Sequence, residues 1–297
     1  MEKPKYKVVN NLNDLTGKEW IIFTRTWFQC DSHRYHKNKD TELHPARYPE
    51  EMVAEFLKFF TKAGGWVLDP FAGSGATLIS CSEQERRGVG VELSARYVAV
   101  MQARLGLTMP PQFALQGDSR ALSTPEYWAA QRATLEPEGL TFTEDGLPIF
   151  DFSISSPPYG AMLHTSRGQV VSKQQQRSAK EGLDTVYSEE DPHDLGNIHD
   201  HDAFISELAD IYRGVARTLK PDAYLVIVIQ NYRAPNGEVI PLAWDLTHAL
   251  KDDLLFQGEK VWVQNSKKLG IWGYPKIFVP NYHHHYCLIF RNRKPVR

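Results

Sequence analysis

Trp66-Val67-Leu68-Asp69-Pro70-Phe71-Ala72-Gly73-Ser74-Gly75-Ala76-Thr77 runs from four residues that read as a short buried strand, through a glycine-rich turn, into a helix predicted over 76–85. A strand feeding a helix in this way opens an α/β unit. In open α/β sheets, ligands bind in the crevice outside the carboxyl ends of the strands. Glycine suits that position because no Cβ keeps a ligand away from the backbone. A lone pair of glycines is weak evidence, so the flanking segments decide what the turn is for.

Downstream, the alternation continues. Strands are predicted at 88–92 and 113–118, helices at 95–105 and 126–135, and a fourth strand at 152–156. That strand stops on Pro157 and Pro158, because proline cannot donate to a sheet ladder. A helix over 203–219, a strand over 223–229, a helix over 242–250 and strands at 258–263 and 285–290 complete the pattern. Upstream, PEEMVAEFLKFFTK (49–62) opens with proline and two glutamates, which suit a helix N-terminus, and sets Met52, Phe56, Phe59 and Phe60 on one face. A short helix is expected within 15–27. Residues 160–201 and 231–240 read as irregular. Strands alternating with helices predict a largely parallel, doubly wound sheet.

With 297 residues, 42% hydrophobic and 24% charged, the chain has ordinary globular composition. Its net charge of −2 neither announces nor excludes a nucleic-acid partner. The charge is uneven: eight basic residues follow Leu255, against the single acid Glu259. The start, MEKPKYKVVNNLNDL, has no apolar signal core. The longest apolar run, 224–229, is far too short to span a bilayer. Cys30, Cys81 and Cys287 form no disulfide framework. These features set the expectation of a reduced, cytoplasmic protein with no membrane segment.

Two acids sharpen the glycine turn. Glu92 ends the second strand 17 positions beyond Gly75, near the spacing of about 20 at which an acid grips ribose hydroxyls. Asp118 ends the third strand and can accept from an adenine amino group. No lysine follows the glycines as it does in a phosphate-binding loop. Acidic walls suit a positively charged adenosine ligand, which points to S-adenosylmethionine over NAD or ATP. The cofactor contacts expected here are Asp69, Pro70, Phe71, Gly73, Ser74, Gly75, Thr77, Glu92, Leu93, Asp118 and Ser119.

DPFAGSGAT at 69–77, followed by ISSPPYG at 154–160, resembles the amino-methyltransferases that act on exocyclic nitrogens of DNA bases. HPARYP at 44–49 resembles that family's motif for the methionine side of the cofactor, which adds His44, Pro45 and Arg47. HHHYCLIFRN at 283–292 resembles its closing strand. The resemblance covers about residues 44–230. It implies a Rossmann-like class I methyltransferase fold, α/β, with an antiparallel final strand. It further implies one catalytic domain over 1–297, with an N-terminal arm (1–43) and small target-recognition elements at 160–201 and 231–282. Serine as the first residue of SPPY looks more like cytosine-N4 than adenine-N6 enzymes.

The resemblance gives the proline pair a chemical role. An exocyclic amine is a poor nucleophile because its lone pair is delocalised into the ring. Ser156 Oγ and the Pro157 carbonyl, held by Pro158, can accept its two hydrogens and free that lone pair. Tyr159 offers a face on which an extruded base stacks. No metal is required. Lys267, Lys268, Trp272, Tyr274 and Lys276, in a stretch that also holds Trp262, mix basic and aromatic residues in the manner of phosphate contacts with stacking. The expected partner is double-stranded DNA, within a restriction–modification pair. Adenine-N6, RNA or protein-glutamine methylation, and an inactive nucleic-acid binder, stay open as alternatives. Cys30, His33 and His36 make a poor zinc site because no second pair of ligands has finger-like spacing. Alternation separates His284 from His283 and His285. Asn231 and Tyr232 follow a strand end and are candidates to line the cleft.

Overall fold

The computed structural model describes residues 9–31, 48–158, 193–234, 236–267 and 269–293. In chain order the elements are α1 (Gly17–Phe23), β1 (Trp27–Gln29), α2 (Glu50–Phe60), β2 (Trp66–Asp69), α3 (Ala76–Glu83), β3 (Arg87–Glu92), α4 (Ala95–Leu105), β4 (Phe113–Gln116), α5 (Pro125–Leu135) and β5 (Phe150–Ser155). There follow α6 (His201–Arg217), β6 (Leu219–Ile229), β7 (Tyr232–Arg233), β8 (Val239–Ile240), α7 (Leu242–Leu250), β9 (Leu254–Val263) and β10 (His284–Asn292). Local chemistry sets several boundaries. Thr16 and Glu19 form a reciprocal capping box at α1, Pro125 occupies the first turn of α5, and Asp200 accepts from the Ala203 N–H at 2.8 Å to start α6.

Eight strands form one sheet in the order β1-β9-β10-β6-β5-β2-β3-β4. β2 through β6 pair in parallel. β10 runs antiparallel to both β6 and β9, and β1 joins β9 in parallel. The doubly wound sheet and the reversed final strand are as expected. β6 shows why the sheet is covered on both faces. Leu225, Ile227 and Ile229 pack beneath α6 and α7 with Leu208, Tyr212, Val215 and Leu246. Val226 and Val228 alternate to the other face and meet α2 through Phe56 and Phe60. A strand buried on both faces therefore reads as an unbroken apolar run. Among the described residues, no helix is long and apolar enough to cross a membrane.

Two segments differ from the sequence reading. The predicted helix within 15–27 is shorter, and Trp27, at the end of that span, opens β1, which extends the sheet along β9. Three residues with one half-buried position carry too little periodicity to be read as a strand. Within the predicted irregular stretch 231–240, β7 and β8 form a two-stranded ribbon (Tyr232↔Ile240). Trp262, grouped in sequence with the basic and aromatic residues at 267–276, lies in the strand expected at 258–263 and is buried. It is 2% exposed, donates from Nε1 to the Cys30 carbonyl at 2.6 Å and stacks on His285. As a residue of β9 with an inward side chain it is a core tryptophan.

Ser155 ends β5 with its hydroxyl 2.9 Å from the Tyr212 hydroxyl, both buried. Tyr212→Phe leaves the serine without its partner and should cost about 1–3 kcal/mol. Ser155→Ala combined with Tyr212→Phe should recover most of that loss. Urea unfolding of the four proteins reads the cycle, and a strictly additive double variant would contradict the pairing.

Candidate active site

From β2 the chain winds outward through β3 and β4, then returns to β5 on the other side of β2. That reversal is the topological switch point of an open α/β sheet, where ligands bind. β2 and β5 are parallel neighbours with Leu68 level with Ser153. The glycine loop after Asp69 and the Ser156-Pro157-Pro158 segment after Ser155 therefore leave the sheet side by side at its carboxyl edge. Two motifs 80 residues apart in sequence meet by topology alone.

The glycine loop is held from below and from both sides. Asp69, 1% exposed, accepts from the Phe71 N–H at 3.0 Å, from the Tyr48 hydroxyl at 2.9 Å and from the Thr77 hydroxyl. Burial lifts its carboxyl to about 6, against the pull of those three donors. Asp69 and Thr77 thus lie under the loop and fix it. Tyr48, which follows Arg47 in the chain, is seated on the same carboxylate. Arg104 of α4 donates to the Ser74 carbonyl and to its hydroxyl at 3.2 Å while paired with Glu50 at 2.7 Å, nearly out of solvent. Ser119 donates to the Pro70 carbonyl. Gly75 has φ +85°, and a Cβ there would stand 2.7 Å from Met101 Cγ, so a glycine is required on both counts.

Glu92 reaches the loop directly. Its carboxylate accepts from the Gly73 N–H and the Ser94 N–H, each at 2.9 Å, and burial pushes its pKa upward. Each oxygen keeps a lone pair, so the bonded carboxylate can still accept from a ligand hydroxyl. Leu93 beside it is half-buried. The Gly117 N–H donates to the Glu92 carbonyl at 3.0 Å, which ties the ends of β3 and β4 together and brings Asp118 to the same edge. Asp118 is engaged by Arg120 at 3.1 Å and His193 at 3.2 Å, and Arg120 is anchored in turn to Glu207 of α6. Sequence reading missed this tether, as it missed Tyr48, Arg104 and Met101. Their partners lie 21 to 87 positions away, and Met101 meets Gly75 from α4, beyond the intervening α3 and β3.

Pro157 is buried, and Ser156 and Pro158 are half-buried. His44, Pro45, Arg47, Tyr159 and Lys268 lie outside the described residues, as do His33 and His36. Lys267, Trp272, Tyr274 and Lys276 are exposed. Asn231 is buried, with Oδ1 accepting from the Ala243 N–H of α7 at 3.0 Å, and Tyr232 is half-buried. The three histidines diverge. His283 stands within 3.0 Å of the Asn281 carbonyl and 2.9 Å of the Lys267 carbonyl. His285 is held neutral by burial, its pKa lowered to about 3, and His284 meets Tyr286 edge-on.

A doubly wound sheet with one reversed strand, a glycine loop at its switch point and acids on the next two strand ends defines a Rossmann-like methyltransferase fold. Residues 2–103, about a third of the chain, match the family model described as DNA methylase. The matched span holds the HPARYP stretch, the glycine loop and Glu92, and ends before Ser156. The chain is 32% identical over 100 residues to the Type II methyltransferase M.HpaI of Haemophilus parainfluenzae, covering 34% of this chain and 29% of that protein. It is 40% identical over 62 residues to the Type II methyltransferase M.Cfr9I of Citrobacter freundii, covering 21% of each. The chain thus spans less than a third of the length of these relatives. Among solved structures, TrmN from Thermus thermophilus aligns with a TM-score of 0.44 at 14% identity, over 82% of this chain and 48% of that one.

Two outcomes test the loop. Gly75→Ala should destabilise the protein by about 1–3 kcal/mol through the clash with Met101, as read by thermal melting; an unchanged melting temperature would contradict the close approach. The raised Asp69 pKa means that the folded chain holds a proton which the unfolded chain releases between about 3.8 and 6. The stability that Asp69 contributes is therefore complete below that window and falls as pH rises through it. Asp69→Asn should lack this fall, so wild type minus variant should decline from pH 4 to pH 7 in urea unfolding. A flat difference would contradict the buried carboxylate.

Proposed function

We propose that this chain is an S-adenosylmethionine-dependent DNA methyltransferase that acts on the exocyclic N4 amine of cytosine in a base extruded from the duplex, as the protective half of a restriction–modification pair. One observation carries the reading: the glycine loop and the Ser-Pro-Pro segment leave the sheet side by side at the β2/β5 switch point. The residues present fit the cofactor. Glu92 and Asp118 give acidic acceptors at adjoining strand ends, and Gly73 leaves the backbone open between them. Bound there, S-adenosylmethionine supplies an electrophilic sulfonium methyl group.

The chain's part is to position and polarise. Ser156 Oγ and the Pro157 carbonyl accept the two amine hydrogens, which draws the nitrogen toward tetrahedral geometry and frees its lone pair. That lone pair would then be free to take up the methyl group that the bound cofactor supplies, with the surplus amine proton passing by way of its acceptor to water. Because two prolines set the acceptor loop in advance, little reorganisation accompanies transfer, and alignment of the reacting atoms supplies most of the rate. Tyr159 stacks on the base. His44, Pro45 and Arg47 serve the methionine end of the cofactor. Lys267, Lys268, Trp272, Tyr274 and Lys276 contact DNA. Serine before the two prolines favours cytosine N4 over adenine N6.

The decisive experiment supplies tritiated-methyl cofactor with unmodified DNA, digests the product and separates the nucleosides. Label in N4-methyl-2′-deoxycytidine is expected. Label in N6-methyl-2′-deoxyadenosine would transfer the same mechanism to adenine, label only in parallel RNA or protein samples would overturn the DNA reading, and no label anywhere would indicate a binder without activity. Tyr159→Ala should lower turnover at least about tenfold with little change in cofactor affinity, and an unchanged transfer rate would remove the stacking role.

A further inference from the structure

Between β9 and β10 the chain raises an apolar ridge that the methyl-transfer chemistry does not use. Ile271 and Phe278 are 86% and 88% exposed, Leu269 and Tyr274 are similarly open, and Ile277 and Trp272 are about half exposed. An exposed apolar group of this size marks a binding surface. The ridge is built on a fixed base. Asn281 accepts from the Gly270 N–H at 2.9 Å and from Trp272 Nε1 at 3.1 Å, and donates to the Gly270 carbonyl at 3.0 Å. The Lys276 and Ile277 N–H groups both donate to the Gly273 carbonyl, at 2.8 and 2.9 Å. Gly273 itself has φ +73°, and a Cβ there would meet the Ile277 carbonyl at 2.4 Å.

Its position and charge select the partner. β9 is parallel to β2–β6 through the reversed β10, so the segment after Val263 rises from the edge that carries the glycine loop. Three interstrand spacings separate β9 from β5, or about 14 Å, roughly four base-pair steps at about 3.4 Å each. Residues 264–283 contain three lysines and no Asp or Glu. A second copy docked by a two-fold axis would bring like charges together, whereas a phosphate backbone complements them.

We propose that the 269–278 ridge is a wedge that inserts Ile271 and Phe278 between stacked base pairs of DNA near the base being extruded, with Lys267 and Lys276 on the flanking phosphates. Apolar side chains used in this way unstack a base step and kink the duplex. The inference rests on the DNA reading above and goes beyond it, because it assigns the cost of opening the duplex to a part of the chain remote from the methyl-transfer residues.

The test measures binding, by fluorescence anisotropy, to a fully paired duplex and to the same duplex with a three-base mismatched bubble, where unstacking is already done. Wild type should favour the bubble by about tenfold. Ile271→Ser combined with Phe278→Ser, both on exposed side chains, should bind the two DNAs alike while keeping the wild-type salt slope. Lys267→Ala combined with Lys276→Ala should keep the bubble preference and flatten the slope by about 2. A serine variant that still favours the bubble, or a wild type that never does, would overturn the wedge. So would a serine variant that loses only self-association or only binding to anionic lipid vesicles. Wild-type methyl transfer to DNA without bubble preference removes the wedge alone, whereas absence of any DNA binding removes the DNA reading with it.

Discussion

At the carboxyl end of β2 the chain must leave a fully buried strand and turn sharply without stranding polar groups in the core. Asp69 makes that turn possible. Its carboxylate, almost out of solvent, gathers the Phe71 amide and the hydroxyls of Tyr48 and Thr77. An unpaired carboxylate in that position would cost several kcal/mol. With three donors the cost becomes an organising constraint, because the loop, the first turn of α3 and Tyr48, two positions ahead of α2, must all keep their places for the acid to be satisfied. The protein accepts a carboxyl raised to about 6 in return for a loop whose backbone is fixed.

Everything at the cleft inherits that fixity. The Gly73 amide donates to Glu92 from a loop that Asp69 holds from below. Gly75 sits tight against Met101, and Arg104 clasps Ser74, so α4 is keyed to the loop as well as to the sheet. Ser119 and Gly117 extend the same lattice to the end of β4. On the other side of β2, β5 delivers Ser156 and the proline pair at the same height, with Ser155 pinned to Tyr212 below them. The proposed acceptor pair beside the proposed nucleoside site would give the arrangement that electrostatic catalysis by positioning calls for.

Local pattern made most of the fold legible. Continuous apolar strands and the amphipathic α2 announced themselves because both faces of the sheet are covered, and the helices expected at 95–105 and 242–250 match α4 and α7. β1 and the β7–β8 ribbon were not legible, since two or three residues give no period, and pairing with a distant edge decides their conformation. In the site, residue type disclosed the glycine loop, Glu92 and the prolines. What those residues touch was hidden. Asp69, read as a cofactor contact, also holds the loop from below, and Trp262, grouped in sequence with the basic and aromatic residues that follow it, is a core side chain of β9. Such placements depend on partners as distant as Cys30 is from Trp262, which no local window contains.

The central claim is that the carboxyl edge between β2 and β4 is a site for a cationic nucleoside whose acidic wall is Glu92. Calorimetric titration of S-adenosylmethionine into wild type and Glu92→Gln tests it most directly, because glutamine keeps the shape and an acceptor while removing the charge. Saturable one-site binding to wild type, weakened about tenfold or more in the variant, is the result expected. Equal affinity in the two proteins, or no saturable heat with wild type, would contradict it.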